Sequence, residues 1–232
     1  MKYTYLLINL LIIIIPLILS FEKKIRFISH WKAFLPAILI TAVIFIIWDI
    51  IFTYLGVWSF NKDYISGIYI VNLPIEEILF FITVPYSCLF IFAVVDYYIP
   101  DNKSYQWINY IYYALVTILI IIGILNHTRL YTVVTFLSLS FMIFLSLQIF
   151  KFKKLKTFTL SFILSTIPFL IFNGLLTAIP VVIYNGSENL GVRLITIPLE
   201  DIFYGMLLIL INTLIYNKKK DRINIYEPLM KS

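Results

Sequence analysis

The chain has little of what a soluble domain is built from. Only 13% of its 232 residues are charged and 62% are apolar, against about 25% and about 45–50% in a typical soluble domain. Its one cysteine, Cys88, excludes a disulfide framework and a cysteine-built metal centre. Its two histidines, His30 and His127, lie in different interhelical segments, so no imidazole pair suggests a metal, and none is expected. Seven scattered glycines contain no G-x-G-x-x-G fingerprint, which leaves no sequence basis for a dinucleotide site; no cofactor is expected. The final apolar segment, residues 195–216, has no lysine, which excludes a retinal Schiff base there. The net charge of +6 is distributed as an orientation signal rather than as a nucleic-acid patch.

What is present is long apolar runs. Runs of about 20 apolar residues read as membrane-spanning helices, and seven are found, at about 3–20, 34–55, 75–99, 107–125, 130–150, 157–179 and 195–216. The first has no small-residue cleavage pattern and runs into "EKKIR", which suits a retained anchor rather than a signal peptide. With the N-terminus outside, the inner segments hold Lys23, Lys24, Arg26, Lys32, Lys103, Lys151, Lys153, Lys154, Lys156, Lys218, Lys219, Lys220, Arg222 and Lys231. Only Lys2, Lys62, Arg129 and Arg193 fall on the outer side. Such an excess of basic residues marks the cytoplasmic side, and it requires an odd number of spans. The expectation is an all-α membrane protein of about seven transmembrane helices, N-out and C-in, in a bacterial cell (inner) membrane.

Sliding the sequence by 124 residues aligns 32–81 with 156–205 without a gap. Thr53 then meets Thr177, Asn61 meets Asn185, Gly67 meets Gly191, Pro74 meets Pro198 and Glu76 meets Glu200. Asp49 with Asn173 and Glu77 with Asp201 are chemically similar pairs. The first helix shifted by 124 falls on the fifth. The chain thus reads as a three-helix repeat (1–99), a connecting helix (100–127), a second three-helix repeat (128–216) and a basic cytoplasmic tail (217–232). Three spans leave the chain on the wrong side to repeat in the same direction, and the fourth returns it. The repeats are therefore parallel, related by a pseudo-twofold axis near the membrane normal.

"LPIEEILFF" (73–81) and "IPLEDIFYG" (197–205) place paired acids at the entrances of two apolar helices. Proline there suits the first helical turn, and the carboxylates beside the free N–H groups complement the helix dipole by about 0.3–1 kcal/mol each. Dipole complementation is one reading of these acids. The other is function, since ionisable groups near a membrane interior are costly and mark functional sites. Asp49 and Asn173 lie deeper, and each is equally readable as an interhelical hydrogen-bonding group. With Glu76, Glu77, Glu200 and Asp201 they would form an outer-leaflet polar cluster walled by Trp48, Phe52, Trp58, Phe80, Phe81, Phe203 and Tyr204. Burial favours a protonated carboxyl, able to act as general acid beside a partner acting as base. Aromatic faces stabilise a nearby cation. These groups suit protonation of an apolar, alkene-like substrate dissolved in the bilayer.

The motifs "GVW" (56–58), "LPIEEILFF", "FNGLLT" (172–177), "GVRLITIPLED" (191–201) and the tyrosine of "FYG" (203–205) resemble those of the small integral-membrane lycopene cyclases with two related cyclase domains. The resemblance covers roughly 30–95 and 155–216. It implies redox-neutral cyclisation of the linear ends of lycopene to β-ionone rings, giving γ-carotene and then β-carotene. Glu76 and Glu200, identical between the repeats, are the expected proton donor and acceptor, in either order, with Glu77 and Asp201 tuning or replacing them. Asp49 and Asn173 would orient the pair, Arg193 would anchor its outer end, and Trp48, Trp58, Phe80 and Tyr204 would support the substrate. The expected partners are a membrane-dissolved carotenoid and the lipid bilayer, with no nucleic acid and no fixed oligomeric state. A carotenoid hydratase, a C50 carotenoid cyclase and, from another class, a proton-coupled transporter are the alternatives.

Overall fold

The computed structural model describes residues 2–99 and 106–223. They form seven α-helices: α1 (Thr4–Leu19), α2 (Trp31–Tyr54), α3 (Ile75–Tyr98), α4 (Gln106–Leu125), α5 (Leu130–Gln148), α6 (Leu155–Ala178) and α7 (Leu199–Ile223). Helices α2 to α7 are each long and apolar enough to cross a membrane, and α1, at 16 residues, is shorter. The protein is an all-α, multi-pass membrane protein. Its outer surface carries rows of exposed Ile and Leu on α1, α2, α4 and α6, as lipid contact requires.

Six short strands cap one end: β1 (Trp58–Phe60), β2 (Tyr69–Ile70), β3 (Leu73–Pro74), β4 (Val182–Tyr184), β5 (Arg193–Leu194) and β6 (Ile197–Pro198). They satisfy backbone groups between helices where the helical ladder cannot. Pro74 is extended and serves as the N-cap residue of α3; with Pro198 it ends a hairpin strand rather than sitting inside the first turn. The seventh helix therefore starts at Leu199 and not at 195. It also continues to Ile223, taking in part of the expected tail. The reason is partnership: Asn217 and Lys220 are buried, and basic residues in a last turn suit the helix dipole. Residues 224–232 of that tail, and 100–105 at the start of the connecting segment, lie outside the described residues.

The repeat is exact in register from α2 onward. Each bound of α2 and of β1 to β3 recurs 124 residues later in α6 and in β4 to β6, and α3 starts 124 before α7. The matched residues are turn formers. Asn61 Oδ1 accepts the amide of Asp63, and Asn185 Oδ1 accepts that of Ser187. Gly67 and Gly191 take φ of 87° and 74°, a region open to glycine without strain. The first helices obey a different spacing. The Tyr5 amide donates to the Tyr64 carbonyl as that of Tyr131 does to Glu188, so α1 and α5 correspond at 126 residues, not 124. The distance from α5 to α6 along the chain is two residues less than that from α1 to α2 in this register, and α5 also runs further at its end, so the connecting segment is shorter still.

Strands β1 and β4 show the pseudo-twofold directly. They pair antiparallel with Ser59 opposite Ile183, which are repeat mates, and with Trp58 opposite Tyr184 and Phe60 opposite Val182. A self-complementary contact of this kind is what a twofold axis generates. Around it α2 packs on α7 and α3 on α6, while α1 lies on α3, α5 on α7 and α4 outside on α5. At the far end, Asp96 of α3 receives Lys220 of α7 at 3.1 Å and Lys154 at 2.7 Å. Asp96 and Lys220 are themselves repeat mates, so one position carries opposite charges in the two halves and closes on itself across the axis.

Candidate active site

At the stranded end, α3 and α7 begin side by side and bring in their acid pairs. Both members of each pair are buried, but they face different surroundings. Glu76 Oε1 accepts the Ser66 amide at 2.7 Å, and Glu200 Oε1 accepts the mate amide, Leu190, at 2.7 Å together with the Thr132 hydroxyl at 2.6 Å. Each thus ties a turn of the preceding loop onto its own helix start.

Glu77 and Asp201, one residue on, point into a cavity of about 340 Å³ between the halves. Glu77 Oε2 accepts the Tyr5 hydroxyl at 2.5 Å. Asp201 Oδ1 accepts the Tyr131 hydroxyl at 2.6 Å, and its Oδ2 accepts Tyr184 at 2.7 Å and the Asn173 amide at 2.8 Å. Tyr5 and Tyr131 hold equivalent places on α1 and α5. Asp49 also lines the cavity, is 2% exposed, and leaves Oδ2 without a hydrogen-bond partner. Asp49 interacts electrostatically with Glu77, and Glu77 with Asp201. Tyr184, on β4 outside the spans, has its hydroxyl pushed well above the ordinary range, first by burial and then by the Asp201 carboxylate. It therefore remains a donor.

The rest of the lining is mainly aliphatic and aromatic. Trp58 meets Tyr131 at 5.1 Å between ring centroids and Phe52 at 5.2 Å, while Trp48 meets Tyr204 at 5.5 Å. Tyr204 lines the cavity with its hydroxyl unpartnered. These edge-to-face and tilted contacts fix the rings, and Trp58 and Tyr204 line the cavity together with the acids.

Of the residues singled out in the sequence, Glu77, Asp201, Asp49, Asn173, Trp58, Phe80 and Tyr204 line one cavity. Glu76 and Glu200 sit behind it, and Trp48 backs Tyr204 without lining it. Phe203 turns away to pack on Phe136 at 5.0 Å. Arg193 is exposed on β5 and donates to the Thr196 carbonyl at 2.6 Å within its own hairpin. It is a hairpin clamp and not an anchor of the acids, because β5 lies outside the buried layer. The residues that sequence reasoning missed are Tyr5, Tyr131, Tyr184 and Thr132. A repeat alignment allowing a two-residue gap would have matched Tyr5 with Tyr131. Tyr184 gives no such signal, since its mate is Phe60.

Two segments, residues 2–95 and 128–218, match the lycopene cyclase family. The chain belongs to the lycopene cyclase family. The two segments begin 126 residues apart, the spacing of Tyr5 and Tyr131, and they leave out α4, which lies outside both repeats. No curated protein and no solved structure gave a match. Membership makes the chain a carotenoid cyclase by family, and the apolar cavity among membrane-spanning helices fits a lipophilic substrate.

Proposed function

We propose that the protein cyclises the linear ends of lycopene to β-ionone rings by proton addition and proton loss, giving γ-carotene and then β-carotene. The observation that carries this reading is the cavity: three carboxyl groups at the acid end of an otherwise apolar, aromatic-walled chamber. The terminal double bond takes a proton, the chain closes on the tertiary cation, and a proton leaves the new ring. Proton count and oxidation level are unchanged, making the reaction an isomerisation of the intramolecular-lyase type.

The hydrogen bonds support a division of labour among the acids. Asp201 accepts from three donors, a pattern suited to an ionised, acceptor-only carboxylate, and so to holding charge near the cation and receiving the departing proton. Asp49, with an unpartnered oxygen, and Glu77, with one donor, are the candidates for delivering the proton. Glu76 and Glu200 position the loops from behind. General acid–base groups contribute about 10²–10⁴-fold, and the π faces of Trp58 and Tyr204 stabilise the carbocation. The excess of Lys and Arg at the end opposite the acids supports an N-out, C-in orientation, in a bacterial inner membrane.

Expression in a lycopene-accumulating host tests the reading by chromatography with mass detection. Cyclic products of unchanged mass are expected. A gain of water would instead identify a hydratase, and unchanged lycopene would refute cyclisation.

A further inference from the structure

The acids obey the pseudo-twofold, but the chamber does not. On one side it is walled by α1 and α6. On the pseudo-equivalent side, the places of those helices are taken by α5 and α2, which contribute only Tyr131 and Asp49. The difference is one of packing. Phe162, Ser165 and Phe169 of α6 line the chamber, whereas their repeat mates Ile38, Thr41 and Phe45 on α2 are 0–2% exposed and absent from the lining. Phe45 instead packs on Tyr204 of α7 at 5.0 Å.

The open side also reaches the lipid. Leu11 and Ile15 of α1 line the chamber while remaining 46% and 64% exposed. Helices α1 and α6 touch only lightly, as do α5 and α2 on the other side. Each of these two helices brings a proline to the lining, Pro16 and Pro168. Neither proline recurs on the closed side, where Met142 and Ile44 stand. Proline in a helix interior removes a backbone hydrogen bond and disfavours a straight, closely packed rod. Along α3 the chamber runs from Glu77 to Ile91, about 21 Å at ~1.5 Å per residue. The acids therefore sit at its end and the gap lies nearer mid-membrane.

We infer that the gap between α1 and α6 is a lateral mouth through which one end of a long apolar chain enters from the bilayer while the remainder stays in lipid. Size supports this. A cavity of ~150 Å³ takes benzene, so 340 Å³ suits roughly a dozen carbon atoms, far fewer than a carotenoid has. The rest of such a chain has to leave the chamber, and this mouth leads into hydrocarbon. Only the identity of the chain rests on the proposed carotenoid chemistry.

The test uses the full chain in phosphatidylcholine vesicles with a sixteen-carbon alkyl diazirine dissolved in the bilayer. On illumination the wild type is expected to be labelled at Ser87, Cys88 and Ser165, which are buried but line the chamber, at least fivefold above Leu139 and Ile143, buried on α5 away from it. Ile15→Trp, at the mouth, is expected to lower chamber labelling at least fivefold, and Leu11→Phe serves if that variant does not fold. Phe141→Trp, at the equivalent lipid-facing position of α5, is expected to leave labelling unchanged. Chamber labelling no higher than that of Leu139, or unaffected by either mouth substitution, would overturn the mouth. Lycopene added to the vesicles is expected to suppress the labelling. Mouth-dependent labelling that lycopene does not suppress would sustain the mouth and overturn the carotenoid reading.

Discussion

Asp201 and Glu77 occupy mirrored places, yet one carboxylate gathers three donors and the other gathers one. A hydrogen bond to a charged group contributes about 1.5–3 kcal/mol, roughly a tenfold to hundredfold factor if it acts in the transition state. Tyr5→Phe is therefore expected to slow ring formation about tenfold or more, because Glu77 loses its only donor. Tyr184→Phe is expected to cost less, because Asp201 keeps Tyr131 and Asn173. Initial rates by chromatography, beside thermal unfolding of the same variants, check the order, and equal rates for both would contradict it. The acids themselves were legible, since paired carboxylates at proline-marked helix starts stand out in an apolar chain. Which member of each pair faces the cavity was not. Neighbouring helical positions differ by about 100° around a helix of 3.6 residues per turn, and only the neighbouring helices decide which of the two directions is inward. The tyrosines escaped notice because 17 tyrosines make any one of them unremarkable in such a composition.

At the scale of elements, the helices were readable to within a few residues except where a charge finds a buried partner. Lys220 belongs to a run that reads as a solvated tail, yet it reaches Asp96 one repeat away. The strands were not readable at all, since each spans only two or three residues and derives its pairing from the repeat axis rather than from periodicity. The Asp96 cluster makes a sharp prediction. Removing one partner of a buried ion pair leaves an uncompensated charge, at about 3–5 kcal/mol. Asp96→Asn is expected to lower the unfolding temperature in detergent markedly, through the cation left at Lys220. Combining Asp96→Lys with Lys220→Asp is expected to recover part of the loss, because the pair crosses the axis in either sense. Additive losses in the double variant would show that the two positions do not sense each other.

For the whole molecule, two parallel repeats supply acids from both halves to one chamber, and the halves differ in the residues they bring to it. Asp49 faces its mate Asn173, Phe60 its mate Tyr184, and Phe80 its mate Tyr204 around the same space. A symmetric pair of sites would have two mouths and identical acids; this chamber takes unlike acids from the two halves. The internal repeat made the twofold legible, whereas the asymmetry was hidden, because it depends on how tightly α2 seats on α7. In the proposed reaction the carboxyls that line the chamber carry the reacting protons, and those behind it hold loops. The direct measurement is the initial rate of ring formation from lycopene in vesicles for Glu77→Gln and Asp201→Asn, set beside Glu76→Gln. The chamber variants are expected to lose about 10²-fold or more, with Glu76→Gln retaining the larger share of activity at reduced thermal stability. Wild-type rates in both chamber variants would contradict it.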